Sequence, residues 1–309
     1  MASSFASRGI LLRRLAHGLI NQAALPGISK GSSQNGLSVA CRAALVAETP
    51  PSKRRLFSSS SASSRVLVTF DIDGTLVEAI GTEANKMHKG AFSHALKELY
   101  GVDGTIDAVK HHGSTDKSVI KKTALHYGVS EEKIMSRWDD IAPKMLEYAR
   151  GHVAHAAEGL HLLPGVLHLL KTLAARDDVV TGLVTGNLSE IAWMKMNALG
   201  IKDLFSPPYI GGFGSDHVDR GELVKIAAAR AAQSIPGPSF GVRVHVGDTP
   251  NDVSAALYGG AHAVGVLTGA FEESELLEAA KGDRNNVTIL ENLEDSERFL
   301  SVCGLSNRS

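Results

Sequence analysis

Four acidic positions carry whatever chemistry this chain performs. Asp71-Ile72-Asp73-Gly74-Thr75 follows directly on the apolar, β-branched run 65–70 and places two carboxylates two residues apart. Val184-Thr185-Gly186-Asn187 closes a second apolar run and offers a hydroxyl and free backbone N–H groups at a helix start, a donor set suited to an anion. Val246-Gly247-Asp248-Thr249-Pro250-Asn251-Asp252 closes another run and adds Asp248 and Asp252. Each segment alone has an ordinary explanation: an acidic turn, a helix cap, or an acid in the first turn of a helix. Their combination does not. If the three runs are parallel strands of one sheet, Asp71, Asp73 and Asp248 all project from the edge where open α/β sheets bind ligands. Carboxylates gathered within a few ångströms repel one another unless a cation neutralises them. An all-oxygen ligand set suits Mg²⁺, and a divalent cation beside a hydroxyl and free N–H groups makes a site for phosphate.

The elements needed to hold these residues can be read from the same sequence. Apolar runs at 65–70, 179–184, 209–213, 242–246 and 263–267 are expected to be buried parallel strands. Helical patterns at 189–199, 222–233 and 251–258 lie between the later runs. This alternation implies an α/β fold, a doubly wound parallel sheet with right-handed crossovers. A possible edge strand follows at 287–290. Residues 81–158 break the rhythm, with helical patterns at 84–100, 116–127 and 131–150 and no strand, and are expected to form an inserted all-helical cap. The core would then comprise 65–80 together with 159–309, resuming at Leu163-Pro164-Gly165-Val166.

Composition narrows the function classes. The chain has 309 residues, 43% hydrophobic and 21% charged, with a formal net charge of -1. That near-neutral balance averages two unlike parts. Residues 1–65 hold nine Lys/Arg against the single acid Glu48, whereas 66–309 hold 23 bases against 32 acids. An acidic body is a poor general binder of nucleic acid or anionic membrane, and no apolar stretch reaches the ~18 residues of a membrane span. The two cysteines, Cys41 and Cys303, exclude a disulfide framework and a cysteine-based metal cluster. The leader at 1–64, with fourteen serines and scattered arginines, reads as an organelle transit peptide. Mitochondria are the expected destination and plastids the alternative. Arg55-Leu56-Phe57-Ser58 resembles a mitochondrial processing site.

The acidic segments, their order and their separations resemble the haloacid dehalogenase (HAD) superfamily of phosphohydrolases over residues 66 to about 270. His112-Gly113-Ser114-Thr115-Asp116 and Leu163–Val166 are similar to segments of phosphoglycolate-phosphatase-like members. The insert at 81–158 is placed like that family's helical cap. One departure stands out. The family usually places a Lys before the helix after strand three; here Arg220 occupies that place and Lys225 lies one to two turns further in. Either could supply the positive charge.

The resemblance implies a Mg²⁺-dependent hydrolase of a small phosphomonoester. Asp71 would be the nucleophile and form an aspartyl phosphate; Asp73 would serve as acid and then base. Thr185, the Gly186 N–H, and Arg220 or Lys225 would stabilise the transferring group, with Gly74 and Asn187 also at the phosphate. Mg²⁺ would be held by Asp71, the Asp73 carbonyl and Asp248, with Asp252 in support. Ser114, Thr115, Asp116 and Lys117 are the candidate selectivity residues of the cap. A second Asp two residues after the nucleophile favours an oxygen leaving group over a halide. A phosphomutase of the same family and an inactive binding or scaffold protein are the alternatives. The histidines at 111, 112, 152, 155, 161 and 168 lack the spacing of a zinc site and are expected to be solvated or capping residues.

Overall fold

The computed structural model describes residues 65–237 and 239–306. The leader and its processing segment lie outside the described residues. The described residues all belong to the second of the chain's two units, Ser58–Ser309.

The centre of this second unit is a parallel sheet. Strand β1 (Arg65–Phe70) is buried on both faces, as a central strand must be, and its apolar residues serve the two sides alternately. Val66, Val68 and Phe70 pack into one cluster and Leu67 into another. β4 (Val179–Thr185) and β6 (Phe240–Gly247) flank it in parallel register, and β5 (Gly211–Phe213), β7 (His262–Val266) and β8 (Val287–Leu290) complete six strands in the order β5-β4-β1-β6-β7-β8. The edge strand at 287–290 is therefore part of the main sheet, paired to β7. The order turns outward in opposite directions from β1. This puts the switch point of the fold, and hence its ligand crevice, between the carboxyl ends of β1 and β6.

Helices cover both faces. Phe70, at the tip of β1, stacks on Phe299 of α10 (Ser296–Val302), with ring centroids 6.3 Å apart, and meets Phe205 edge-on. Leu169, Leu170 and Leu173 of α5 (Val166–Ala174) join the same cluster. On the other face, α7 (Arg220–Ser234) and α8 (Pro250–Tyr258) pack Leu223, Val224, Val253 and Ala256 against Val184 and Ala263, with Leu276 of α9 (Glu273–Glu278) in the same cluster.

The stretch read as helical contains α1 (Lys86–Tyr100), α2 (Asp116–His126), α3 (Glu131–Ser136) and α4 (Ile141–Gly151). Its apolar cluster, built on Met87, Leu96, Ile120, Ile134 and Met145, is distinct from those of the sheet but also takes in Leu188 and Ile191, from the start of α6 (Ser189–Ala198). A short antiparallel ribbon joins this layer to the sheet: β2 (Val77–Ala79) pairs with β3 (Leu160–Leu162) where the chain leaves and re-enters. The sequence pattern shows no sign of that ribbon, because three residues are too few to display a period.

Candidate active site

Asp71 stands one residue beyond β1 and Asp248 one residue beyond β6, on either side of the switch point. The Asp71 N–H donates to the Val246 carbonyl at 2.9 Å, which ties the two strand tips together. Gly74 then turns the chain at φ 89°, where a side chain would be strained and its Cβ would also collide with the Asp248 carboxylate. Thr75 donates its hydroxyl to Asp248 Oδ1 at 3.0 Å, and Thr268 donates to the Gly74 carbonyl at 2.6 Å. The turn after β1 therefore grips the carboxylate after β6.

Asp252 sits in the first turn of α8 as the return partner of a capping box: Thr249 accepts from the Asp252 N–H while Asp252 Oδ2 accepts from the Thr249 N–H and hydroxyl. Its other oxygen faces His245 Nε2 at 3.2 Å and Arg220 Nε at 3.0 Å. The guanidinium of Arg220, 7% exposed, also reaches Asp71 Oδ1 at 2.5 Å. Asp71, Asp248 and Asp252 each offer an oxygen within 4.8 Å of the others.

The electrostatics follow from this crowding. Burial pushes the Asp71 carboxyl up to about 6; Arg220 opposes the shift, and Asp252 and Asp73 reinforce it. Burial, then Asp252 and Asp71, push Asp248 up to about 8. Asp252 is held below the usual range: burial would raise it, but Arg220 and His245 outweigh that. One arginine cannot neutralise three carboxylates, and Asp248, raised furthest, is the group that holds its proton until a cation takes its place. An oxygen-only donor set with surplus negative charge fits a hard divalent cation such as Mg²⁺.

These residues face a cavity of about 340 Å³. Asp71, Asp73, Gly74, Thr185, Gly186, Asn187, Arg220 and Asp248 all line it. Asp252 does not; it is buried behind Arg220, among its own cap bonds. α1 contributes His88, Lys89 and Phe92, with Asn85 just before it, spaced as one helical face. At the tip of β4 the backbone of the 114–116 loop crosses Gly186 so closely that a Cβ there would strike the Ser114 carbonyl. Asp116 locks that crossing, donating its N–H to the Gly186 carbonyl at 2.8 Å and accepting from the Leu188 N–H at 2.8 Å. Its carboxylate also meets the buried His88 Nε2 at 3.0 Å.

Three sequence expectations are corrected by this geometry. Lys225 lies on the solvent side of α7, paired with Glu222 at 3.1 Å and seated over the Tyr258 ring, so the cation at the carboxylates is Arg220. Thr115 is buried at the start of α2, with its hydroxyl bonded to Ser118 rather than lining this cavity. Lys117 turns away to Asp139 and the face of Trp138. With about 100° between successive helical residues, Asp116 and Lys117 cannot share a face; of the four cap candidates, Ser114 and Asp116 line the cavity.

The sequence reading missed Lys195, His88 and His245. Lys195 is fully buried on α6 and places its ammonium 2.9 and 3.0 Å from the two oxygens of Asp73. Asn187 Nδ2 adds a third bond to Asp73, at 3.0 Å. Burial opposes the charge of Asp73, but Lys195 and then His88 hold the carboxyl below its ordinary range. The available signal was a polar residue interrupting an apolar helical stripe: Lys195 between Ile191, Ala192 and Met196, and His88 beside Met87, Ala91 and Phe92. Of the histidines set aside as zinc decoys, His111 and His112 stack on each other and line the cavity, while His152 lies against the Tyr148 ring.

A family model described as haloacid dehalogenase-like hydrolase matches residues 66–260. Phosphoglycolate phosphatase of Salmonella typhi is 25% identical over 226 residues, spanning 70% of this chain and 86% of that protein. Among solved structures, a hydrolase from Pseudomonas syringae superimposes with a TM-score of 0.51 at 19% identity, covering 79% of this chain and all of that one. CbbY from Rhodobacter sphaeroides, solved in complex with phosphate, does so at 0.50 and 22%, covering 75% and 96%. These two likenesses speak to the fold.

Proposed function

The chain belongs to the haloacid dehalogenase-like hydrolases, and from that premise we propose that it is a Mg²⁺-dependent phosphatase of a small phosphomonoester, phosphoglycolate first among the candidates. The observation that carries this reading is the set of three converging carboxylates, offset chiefly by Arg220, at the floor of a cavity that also presents Thr185 and Gly186. The 25% identity to a phosphoglycolate phosphatase supports the choice of first substrate.

Asp71 attacks phosphorus while Asp73 gives a proton to the departing alkoxide; Asp73 then takes a proton from the water that opens the aspartyl phosphate. Arg220, Thr185 and the Gly186 N–H stabilise charge on the equatorial oxygens. Asp71, the Asp73 carbonyl and Asp248 would hold the cation, with Asp252 fixing Arg220 behind them, and the cation supplies charge neutralisation between carboxylate and phosphate. The helical segment 81–158 is the cap of this site and sets substrate identity through the α1 face and Ser114. The basic, serine-rich leader supports mitochondrial import.

Phosphate release from 2-phosphoglycolate and a panel of metabolite phosphates, with Mg²⁺ and with a chelator, tests the reading. Metal-dependent release is expected. An isomerised phosphate ester in place of free phosphate would assign a mutase, and no turnover of any ester would assign a binding protein.

The raised acids also predict a pH signature. The folded chain holds the Asp71 and Asp248 protons more tightly than the unfolded chain. Their stabilising contribution is therefore complete below the ordinary carboxylate value of about 4 and is lost as pH rises through about 6 and then about 8. Mg²⁺ needs the deprotonated ligands, so its increment to the melting temperature should grow over that window and be larger at pH 8 than at pH 5.5. A thermal-shift series with and without Mg²⁺ reads this directly; an increment independent of pH would contradict the assigned ligands.

A further inference from the structure

We infer that Lys195 is a positioning residue for Asp73, one whose ammonium aims that carboxylate at the leaving oxygen. The inference rests on the phosphatase reading and extends it to a side chain outside the cavity lining.

Lys195 occupies a position on α6 where packing alone calls for an apolar residue. Ile191, Ala192 and Met196 of the same helix are buried, and Lys195 is 0% exposed among them. An ammonium persists in such a place only when paired. Its partner is a carboxylate that the proposed chemistry requires, and the pairing has a definite geometry. Nζ lies at nearly equal distances from both oxygens of Asp73, 2.9 and 3.0 Å, so it opposes rotation of the carboxylate about χ2. Asn187 Nδ2, 3.0 Å from Oδ2 alone, removes the remaining symmetry. Lys195, fully buried and outside the cavity lining, approaches from the protein side. The Asp73 side chain stays 39% exposed and lines the cavity, so its unused lone pairs face the space where a substrate would sit. Arg220, the cation at the neighbouring carboxylates, is committed elsewhere, since it serves Asp71 and Asp252. Lys195 and Asn187 thus form a clamp on the one acid that moves protons.

In the first step the Asp71 oxygen–phosphorus bond forms as the phosphorus–alkoxide bond breaks, and the departing oxygen takes a proton relayed through Asp73 from the monoanionic ester or from solvent in the cavity, since Lys195 keeps the resting carboxyl ionised. That transfer matters for an alkoxide and hardly at all for nitrophenolate, a stable anion. A residue that aims Asp73 therefore affects substrates in proportion to their need for a proton, whereas one that merely supports the fold affects them alike. The full-length chain and its Lys195→Met variant should be compared on 2-phosphoglycolate and on p-nitrophenyl phosphate. The expected loss in kcat/KM is about 10²-fold on the alkyl ester, with little change on the aryl ester. On the aryl ester kcat and KM should fall together, because Asp73 is still needed to activate water in the second step. Lys195→Gln, which retains an uncharged NH₂ donor, should recover part of the alkyl activity. Equal losses on both esters overturn the proposal. A wild-type chain that releases phosphate from neither ester strikes the phosphatase reading and takes this inference with it.

Should the variants not fold, wild-type protein labelled with ¹⁵N-lysine gives the answer by NMR. One ζ-ammonium resonance protected from solvent exchange should shift when orthovanadate, a phosphoryl mimic, fills the site. A spectrum with no such resonance, or one indifferent to vanadate, overturns the proposal equally.

Discussion

Asp71→Asn should leave a folded protein with turnover reduced by about 10⁴- to 10⁶-fold, the range seen when a catalytic nucleophile is removed from a preorganised site. The substitution keeps shape and hydrogen-bonding reach but replaces an anionic oxygen with an amide, which cannot form the acyl phosphate. The stability outcome is the more informative half of the experiment. Asp71 is 5% exposed and shares one arginine with two other buried carboxylates. Removing its charge relieves part of the repulsion that, added to burial, raises Asp248 to about 8, while Arg220 keeps its contact with Asp252. The melting temperature without Mg²⁺ should therefore hold steady or rise, as expected where a site trades stability for activity. Phosphate release and a thermal melt on the same preparation measure both. A folded Asp71→Asn enzyme turning over at the wild-type rate would eliminate the covalent mechanism.

The parts of this site that could be read in advance are those fixed by topology. Asp71 and Asp248 each follow a buried apolar run, and in a parallel sheet all such ends lie along one edge, so their convergence needed no knowledge of side-chain conformation. The central strands were legible for a related reason: Val66 to Phe70 is largely apolar on both faces because helices cover both, and Val242 to Val246 keeps one wholly apolar face, with Arg243 and His245 on the other. What remained hidden depends on rotation and on long-range closure. Arg220 and Lys225 are five residues apart, about 140° around a helix, so only one can face the sheet edge, and residue type does not say which. Thr115 and Lys117 were grouped with Ser114 and Asp116 by proximity along the chain, which ceases to mean proximity in space once α2 begins at Asp116. Lys195 looked like any helical lysine until the burial of Ile191, Ala192 and Met196 fixed the inward face of α6. The β2–β3 ribbon brings together segments some eighty residues apart, and neither carries a pattern of its own.

Arg220→Met should be the more damaging change to the fold. The guanidinium contacts Asp71 at 2.5 Å and Asp252 at 3.0 Å, and all three groups are buried. A methionine fills much of the same volume but leaves Asp71, Asp248 and Asp252 together without their guanidinium. Breaking a buried charge cluster by removing one partner costs about 3–5 kcal/mol, or on the order of 10 °C in melting temperature at about 2–4 °C per kcal/mol for a body of this size. The loss should be greatest without metal near pH 8. It should shrink as pH falls, because Asp248 and then Asp71, already raised and raised further without Arg220, take up protons and shed the repulsion. Mg²⁺ should restore more stability to the variant than to the wild type, as it becomes the chief counter-charge. Even with saturating metal, kcat should remain about 10²- to 10³-fold low, the effect of removing one fixed donor to the transferring group. Lys225→Met is the matched control. Lys225 is exposed, pairs with Glu222 and lies over Tyr258, so its loss should change stability by no more than about 0.5 kcal/mol and leave turnover intact. The reverse pattern, with Lys225→Met inactive and Arg220→Met unaffected, would mean that the cation serving the carboxylates had been misassigned.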